Sequence, residues 1–307
     1  MTQRLRLTAL LVFMGASWGL TQPLTKIAVS DGYRHFGLIF WSEAIAATIL
    51  GAILAGQGKR LPLNPRQLGF YLAIALLGMI LPAVAGYEAA RHLPAGVLSL
   101  VIAAVPMFAL PIALALGIDR FSGLRLLGLV CGLGGVALLT GPGDNLSGVS
   151  LPWLLIALIT PFFYGLEGNF VAKCGTGGAG TLELLCGASL VGMAITGPLA
   201  WVTGHWIDPR PPWGLPDAAL VGSAVINALI YALYVWLVQR AGPVFAGQVS
   251  YLVTGFGVIW AMIVLGESYA TGFWAALALM LAGLFLVQPR ESAPLAQLRG
   301  PGEDGAI

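Results

Sequence analysis

Residues 91–117 read RHLPAGVLSLVIAAVPMFALPIALALG, and residues 240–266 read RAGPVFAGQVSYLVTGFGVIWAMIVLG. Arg91, Pro94 and Gly117 of the first stretch recur as Arg240, Pro243 and Gly266 of the second, each 149 positions later, and Gly134 recurs as Gly283 at the same offset. Between its Arg-Pro start and its closing Gly each stretch is predominantly apolar. Each is also long enough to cross the roughly 30 Å hydrocarbon core of a bilayer, which takes about 20 residues of helix. A membrane-spanning segment that occurs twice at a fixed spacing points to a membrane protein built by duplication.

Working outward, the chain divides into ten apolar stretches, at about 7–27, 36–55, 69–90, 95–116, 123–139, 151–172, 182–202, 218–238, 244–265 and 271–287. Of its 307 residues 58% are hydrophobic and only 9% charged, a balance that no soluble domain of this size could cover with polar surface. The start of each half repeats as well: Trp18-Gly19-Leu20 matches Tyr164-Gly165-Leu166 at an offset of 146, and Lys26 or Lys173 follows. The expected organisation is a first repeat over 1–140, an external linker over 141–150, a second repeat over 151–288 and a disordered cytoplasmic tail over 289–307. Arg4 and Arg6 before an apolar run resemble a secretory signal, but nine further spans follow, so this run is expected to be a retained first helix.

Five helices per repeat is an odd number, so the second repeat enters the membrane from the side opposite to the first. Two inverted repeats can exchange roles and open a central site to either face in turn, the architecture of alternating access. Of the 15 Lys and Arg, eleven fall on the amino-terminal side: Arg4, Arg6, Lys59, Arg60, Arg66, Arg120, Arg125, Lys173, Arg240, Arg290 and Arg299. Lys26, Arg34, Arg91 and Arg210 fall on the other. The positive-inside rule then puts both termini in the cytoplasm, and the net charge of +2 reflects topology, not nucleic-acid binding.

Cys131, Cys174 and Cys186 have neither paired spacing nor a nearby His, so they are expected to be free thiols in apolar surroundings, with no metal site. His35, His92 and His205 all fall on the outer side and are expected to be solvated or interfacial. A membrane enzyme would need a converging nucleophile, base or metal set, which these residues do not supply. No phosphate-cradling loop appears, so neither ATP nor another cofactor is expected. A non-transporting membrane partner or sensor is the alternative to a transporter.

Trp18-Gly19 with Lys26, Tyr87-Glu88-Ala89-Ala90-Arg91 leading to Pro106, Leu265-Gly266-Glu267 and Gly283 together resemble the drug/metabolite transporter superfamily, specifically proteins with two EamA domains. The resemblance covers about residues 7–287. It implies an all-helical basket of ten transmembrane helices around a central cavity, lined by the first, third, fourth, sixth, eighth and ninth, with the fifth and tenth peripheral and available for a homodimer contact. It also implies transport of a small metabolite, as in the aromatic amino-acid exporters of the superfamily, across the bacterial inner membrane. The chain departs from the family pattern at Gly255, where a proline aligned with Pro106 is common, and at Gly117-Ile118-Asp119, where a Gly-Glu pair like Gly266-Glu267 is absent. The first departure separates the two halves in how they bend, and the second makes the acidic group of that loop positional.

Polar groups at membrane depth face a cavity or each other, because lipid cannot solvate them. In the eighth stretch Asn227, Tyr231 and Tyr234 are spaced by four and three, which sets an amide and two phenols on one helix face. In the ninth, Gln248, Tyr251 and Gly255 share a face in the same way. Trp18 and Gln22 lie one turn apart on the first helix, and Tyr164 occupies the position of Trp18 in the second repeat, so the two aromatics are expected to face each other across the pseudo-axis. These eight side chains (Trp18, Gln22, Tyr164, Asn227, Tyr231, Tyr234, Gln248 and Tyr251) are the candidate substrate contacts, and interhelical packing is the other use of the same residues. Pro82, Pro106 and Pro161 each remove a backbone hydrogen bond near mid-helix and permit a kink or gate. Glu43 and Glu167 lie inside spans, and Glu43 is the candidate proton carrier, although its helix is not among those implied to line the cavity. Glu88 and Arg91 have i, i+3 spacing and are expected to form a surface ion pair. Trp41, Trp153, Trp201, Trp206, Trp213 and Trp274 sit near span ends, as interfacial anchors do.

Overall fold

The computed structural model describes residues 3–139, 149–241 and 243–287. The expected linker centre and the expected disordered tail lie outside the described residues. Among the described residues the secondary structure is helical throughout, with no strand. Eight helices are long and apolar enough to cross a membrane, and two apolar helices are shorter. In chain order they are α1 (Gln3–Ser30), α2 (His35–Gly56), α3 (Pro65–Ala90), α4 (Ala95–Ala115), the shorter α5 (Gly123–Leu138), α6 (Leu151–Cys174), α7 (Thr181–Val202), α8 (Leu215–Ala241), α9 (Phe245–Leu265) and the shorter α10 (Thr271–Val287).

Local signals set several boundaries. Asn64 caps α3 by accepting from the backbone N–H of Gln67 at 2.8 Å, and Pro65 follows at the first helical position, where its missing N–H costs nothing. Gly117 and Gly266 end α4 and α9 with φ of +69° and +67°, a left-handed turn that glycine adopts without a Cβ clash. The two glycines matched by sequence therefore make the same turn.

The three prolines act differently from one another. Pro82 follows a π-helical segment, Ala75–Ile80, whose wider turn makes room for the ring. Pro106 opens the second segment of α4, Val105–Ala115, after a break behind Ile102. Pro161 sits in a helix that runs without interruption from Leu151 to Cys174. In α9 the segment Val249–Leu265 is continuous through Gly255, so the two halves do bend differently where one has proline and the other glycine.

Helices of one half pack mainly on helices of the other: α1 on α8 and α9, α2 on α7 and α8, α3 on α6 and α7, α4 on α6 and α9, and α5 on α10. Exchanging α1 with α6, α2 with α7, and so on through α5 with α10, maps this set of pairs onto itself. Small residues bring the backbones together, as is usual between membrane helices. A Cβ on Gly283 would stand 2.7 Å from Gly128 O and from Gly132 N, so α5 and α10 meet backbone to backbone.

The ends of α1, α3 and α9 are tied by charge. Lys26 Nζ donates to the carbonyls of Ala90 (2.7 Å) and Leu93 (2.9 Å), while Glu267 accepts from the N–H groups of Ala95 (2.8 Å) and Gly96 (3.1 Å). A cation thus meets the carboxyl end of α3 and an anion the amino end of α4, as the helix dipoles favour. Glu267 is a cap, in line with the positional role expected of that loop. Ile118, at the matching position in the first half, has no such group to offer.

Of the three histidines expected to be solvated or interfacial, His92 is exposed, whereas His35 and His205 are half-buried among partners. His35 Nδ1 lies 2.6 Å from Glu88 Oε1, so Glu88 pairs with His35 as well as with Arg91 (3.3 Å) and Arg34 (3.8 Å). His205 packs edge-on against His35, and His92 stacks on Trp153 with centroids 3.6 Å apart. These partners come from distant segments, which spacing alone does not reveal.

Tyr33, in the loop after α1, donates to Asp217 at 2.7 Å and fastens that loop to the start of α8. Burial, and then the Asp217 carboxylate, push its hydroxyl up to about 12. The proton is held more tightly in the fold than in the unfolded chain, where the phenol titrates near 10. The stabilisation is therefore complete below about pH 10 and disappears as pH rises through about 12. The thermal midpoint of the wild type is expected to fall across this window, and Tyr33→Phe should remove part of that fall.

Candidate functional site

A cavity of about 570 Å³ lies between the two halves. From α1 it takes Trp18, Thr21, Gln22 and Thr25, which recur with helical spacing on one face. From α6 it takes Thr160, Tyr164 and Glu167, the i, i+4, i+7 pattern of a single stripe. The α8 wall contributes Asn227 and Tyr231, and α3 contributes Gly78, Pro82 and Tyr87.

The aromatic wall is assembled by hydrogen bonding as well as by packing. Trp18 Nε1 donates to Asn227 Oδ1 at 2.9 Å, which fixes both the indole plane and the amide. The Trp18 ring meets Tyr231 edge-on at 6.1 Å and Tyr234 at a tilted 5.8 Å, separations at which aromatic pairs attract. Tyr164 lines the same cavity, but the rings against Trp18 belong to α8.

Of the eight candidate contacts, Trp18, Gln22, Tyr164, Asn227 and Tyr231 line the cavity. Tyr234 backs Trp18 from outside the lining. Gln248 is exposed at the turn before Val249, and Tyr251 is half-buried with its hydroxyl lacking a hydrogen-bond partner; neither lines the cavity. The α9 face that does so carries Val249, Ser250, Val253 and Thr254. Those positions neighbour the expected stripe, offset by about one residue, or roughly 100° of helix rotation.

The implied set of lining helices also needs enlarging. Ser42 and Glu43 of α2 and Ser189 of α7 line the cavity, so the helix expected to stand outside contributes a carboxyl group. The reason is that α2 packs between α7 and α8, with Ile39, Ser42, Ala46 and Leu50 forming an inward edge. Glu43 Oε2 is shut off from solvent and has no hydrogen-bond partner. Ser42 Oγ lies 3.5 Å from Tyr87 Oη, and Thr160 Oγ1 donates to Pro82 O at 2.9 Å, satisfying a carbonyl beside the π-helical segment. The one sequence signal for the α2 and α6 carboxylates was their presence inside apolar spans.

Chemically, the cavity offers aromatic surface, a tryptophan-amide pair, hydroxyls and two carboxylates. It can hold a small molecule with an apolar body and polar ends.

The family model described as the EamA-like transporter family matches the chain twice, over residues 6–141 and 151–288. The chain belongs to that family. EamA proteins are transporters, not enzymes, and they form part of the drug/metabolite transporter superfamily. The chain is 28% identical over 283 residues to the uncharacterised inner membrane transporter YedA of Escherichia coli K12, covering 88% of this chain and 86% of YedA. It is 24% identical over 295 residues to a probable terminal-alkyne amino-acid exporter of Streptantibioticus cattleyicolor, covering 95% of this chain and 96% of that protein. A solved crystal structure superposes with a TM-score of 0.64 at 17% identity, covering 92% of this EamA chain and 97% of the other, a likeness of fold.

Proposed function

We propose that this EamA protein is a secondary transporter that exports or exchanges a small metabolite, an amino acid or a related amphipathic compound, across the bacterial inner membrane by alternating access. The observation that carries the proposal is a single cavity walled by both halves, with the Trp18–Asn227 pair and Tyr231 on one side and Tyr164 on the other. Trp18 and Tyr231 receive the apolar part of the cargo, and Gln22, Asn227 and Tyr164 its polar ends, with Tyr234 holding Trp18 in place and Gln248 and Tyr251 acting through α9. In this view the chain forms ten spans as two inverted repeats, 1–140 and 151–288, with both termini cytoplasmic. The exchange symmetry of the helix pairs supports two halves that swap roles. The α3 π-segment with Pro82 and the α4 break at Pro106 supply the bends, whereas Pro161 lies within an unbroken α6. The amino-acid exporter among the relatives supports the cargo class.

The test is uptake of a labelled amino-acid and metabolite panel into proteoliposomes holding the purified chain, with and without an imposed proton gradient. Saturable flux of one class is expected, and Tyr231→Ala should lower the affinity for that class about tenfold, the worth of one good aromatic contact. Absence of flux across the panel would overturn the proposal.

A further inference from the structure

We infer that the cavity selects its cargo by a protonated amine, that Glu43 and Glu167 are the two carboxyl groups of its wall placed to receive such an amine, and that the group receiving it exchanges one proton against it. The inference rests on the transporter reading above and specifies what its central site recognises.

Glu43 and Glu167 both line the cavity, and among its described lining residues there is no Lys, Arg or His. A carboxylate that leaves water needs a counter-charge or a proton. Here the protein wall supplies no cation, so the counter-charge arrives with the occupant or the group carries a proton. Lys26, the cation nearest along α1, is spent on the Ala90 and Leu93 carbonyls.

Both carboxyl groups are seated as part of the wall. The Glu167 carboxyl lies against the bare α-carbon of Gly78 in the π-helical segment of α3, where an added Cβ would stand 2.6 Å from Cδ and 2.7 and 2.8 Å from the two oxygens. The side chain of Glu43 rests beside Gly192 of α7 with the Ser189 hydroxyl in reach of its carboxyl group, and its Oε2 is buried with no hydrogen-bond partner. Tyr164 is within electrostatic reach of both. The titratable groups facing the pair from the neighbouring helices are Tyr87 of α3, Tyr164 of α6 and Tyr231 of α8, all phenols that cannot neutralise a carboxylate. The amide wall of Gln22 and Asn227 is left for the uncharged or anionic end of the same molecule.

The exchange balances in charge and atoms. An ammonium group entering beside a carboxylic acid yields an ion pair and releases one proton to water, and departure of the ammonium lets the carboxylate take a proton back. No bond other than O–H changes.

The experiment uses matched compounds and the purified full chain. L-phenylalanine, L-phenylalaninamide (amine only) and N-acetyl-L-phenylalanine (carboxylate only), with the corresponding leucine set, are titrated by thermal shift, and an indicator dye in weak buffer reads proton release. The free amino acids and amides are expected to bind, and the N-acetyl compounds at least tenfold more weakly. Amide binding should release protons from the wild type and not from the Glu43→Gln, Glu167→Gln double variant. The Gln variant of the receiving carboxyl group, close in shape to the parent, should weaken amide binding tenfold or more, and the double variant at least as much. N-acetyl compounds binding as tightly as the amides, or Gln variants holding the amides unchanged, would overturn the inference while leaving the transporter standing if panel flux is seen. No binding by either set together with no panel flux would remove both.

Discussion

Gly19→Leu is expected to lower the thermal midpoint of the purified protein by about 6 °C or more and to abolish flux, whereas Gly255→Ala should leave the midpoint unchanged or raise it. Both glycines lie in helices that border the cavity, and helix propensity alone would favour replacing either by about 1 kcal/mol. What separates them is what a new Cβ meets. At Gly19 it would stand 2.7 Å from the backbone N of Gly257, 2.9 Å from Phe256 Cβ and 3.0 Å from Phe256 C; at Gly255 nothing lies within 4 Å. Backbone atoms cannot turn aside like a flexible side-chain tip, so α1 and α9 would have to part. Gly257 in turn is pressed against Ser99 of α4, which leaves α9 no room to retreat. Overpacking a well-filled site typically costs about 1–3 kcal/mol, and a backbone-to-backbone site lies at or beyond the upper end. Trp18 is the residue next to this crossing, so separation there also moves the aromatic wall. Thermal unfolding of the two variants in detergent, beside the flux assay, checks the contrast; an unperturbed Gly19→Leu would mean that α1 and α9 do not pack as described.

The spans were legible because bilayer thickness fixes their length and apolarity marks them. The expected 95–116 corresponds to Ala95–Ala115, one of the eight helices long enough to cross, while the expected span 271–287 is met by the shorter apolar helix Thr271–Val287. The stripe of Asn227 and Tyr231 was legible because four residues return to the same helix face whatever the neighbours are. Which face points inward was not: on α9 the expected stripe at Gln248 and Tyr251 stands beside the face that lines the cavity, and a phase shift of one residue suffices for that. Proline positions were plain, but their effects depend on the surrounding turn, as the π-segment before Pro82, the break before Pro106 and the unbroken helix around Pro161 demonstrate. The lining role of Glu43 follows from how α2 is wedged between α7 and α8, a tertiary fact with no signature in its own residues. The same holds for His35, whose partner Glu88 lies 53 positions away.

Trp18→Ala should weaken cargo binding about tenfold to a hundredfold, and Trp18→Phe by less. The indole serves two purposes at once. Its ring fills the wall against Tyr231 and Tyr234, and its N–H holds the Asn227 amide oxygen at 2.9 Å, so that the amide presents a defined edge to the cavity. Alanine removes both and leaves a polar acceptor unpaired, at a cost of roughly 1–3 kcal/mol. Phenylalanine leaves the same acceptor unpaired but keeps an aromatic ring, if a smaller one, so it spares part of the packing against Tyr231 and Tyr234. A double-mutant cycle of Trp18→Phe with Asn227→Ala isolates the pair, and a coupling of about 0.5–3 kcal/mol in cargo affinity is expected of groups in direct contact. Thermal midpoints measured on the same variants distinguish recognition from support. If the pair merely packs α1 on α8, the midpoint falls and the affinity of the folded fraction stays put; if the bond aims the amide at the cargo, affinity falls by more than the midpoint can explain. Because Trp18 and Asn227 sit on helices of opposite halves, a bond that orders the site also joins α1 to α8, and any motion that parts those helices would dismantle the aromatic wall and release what it holds.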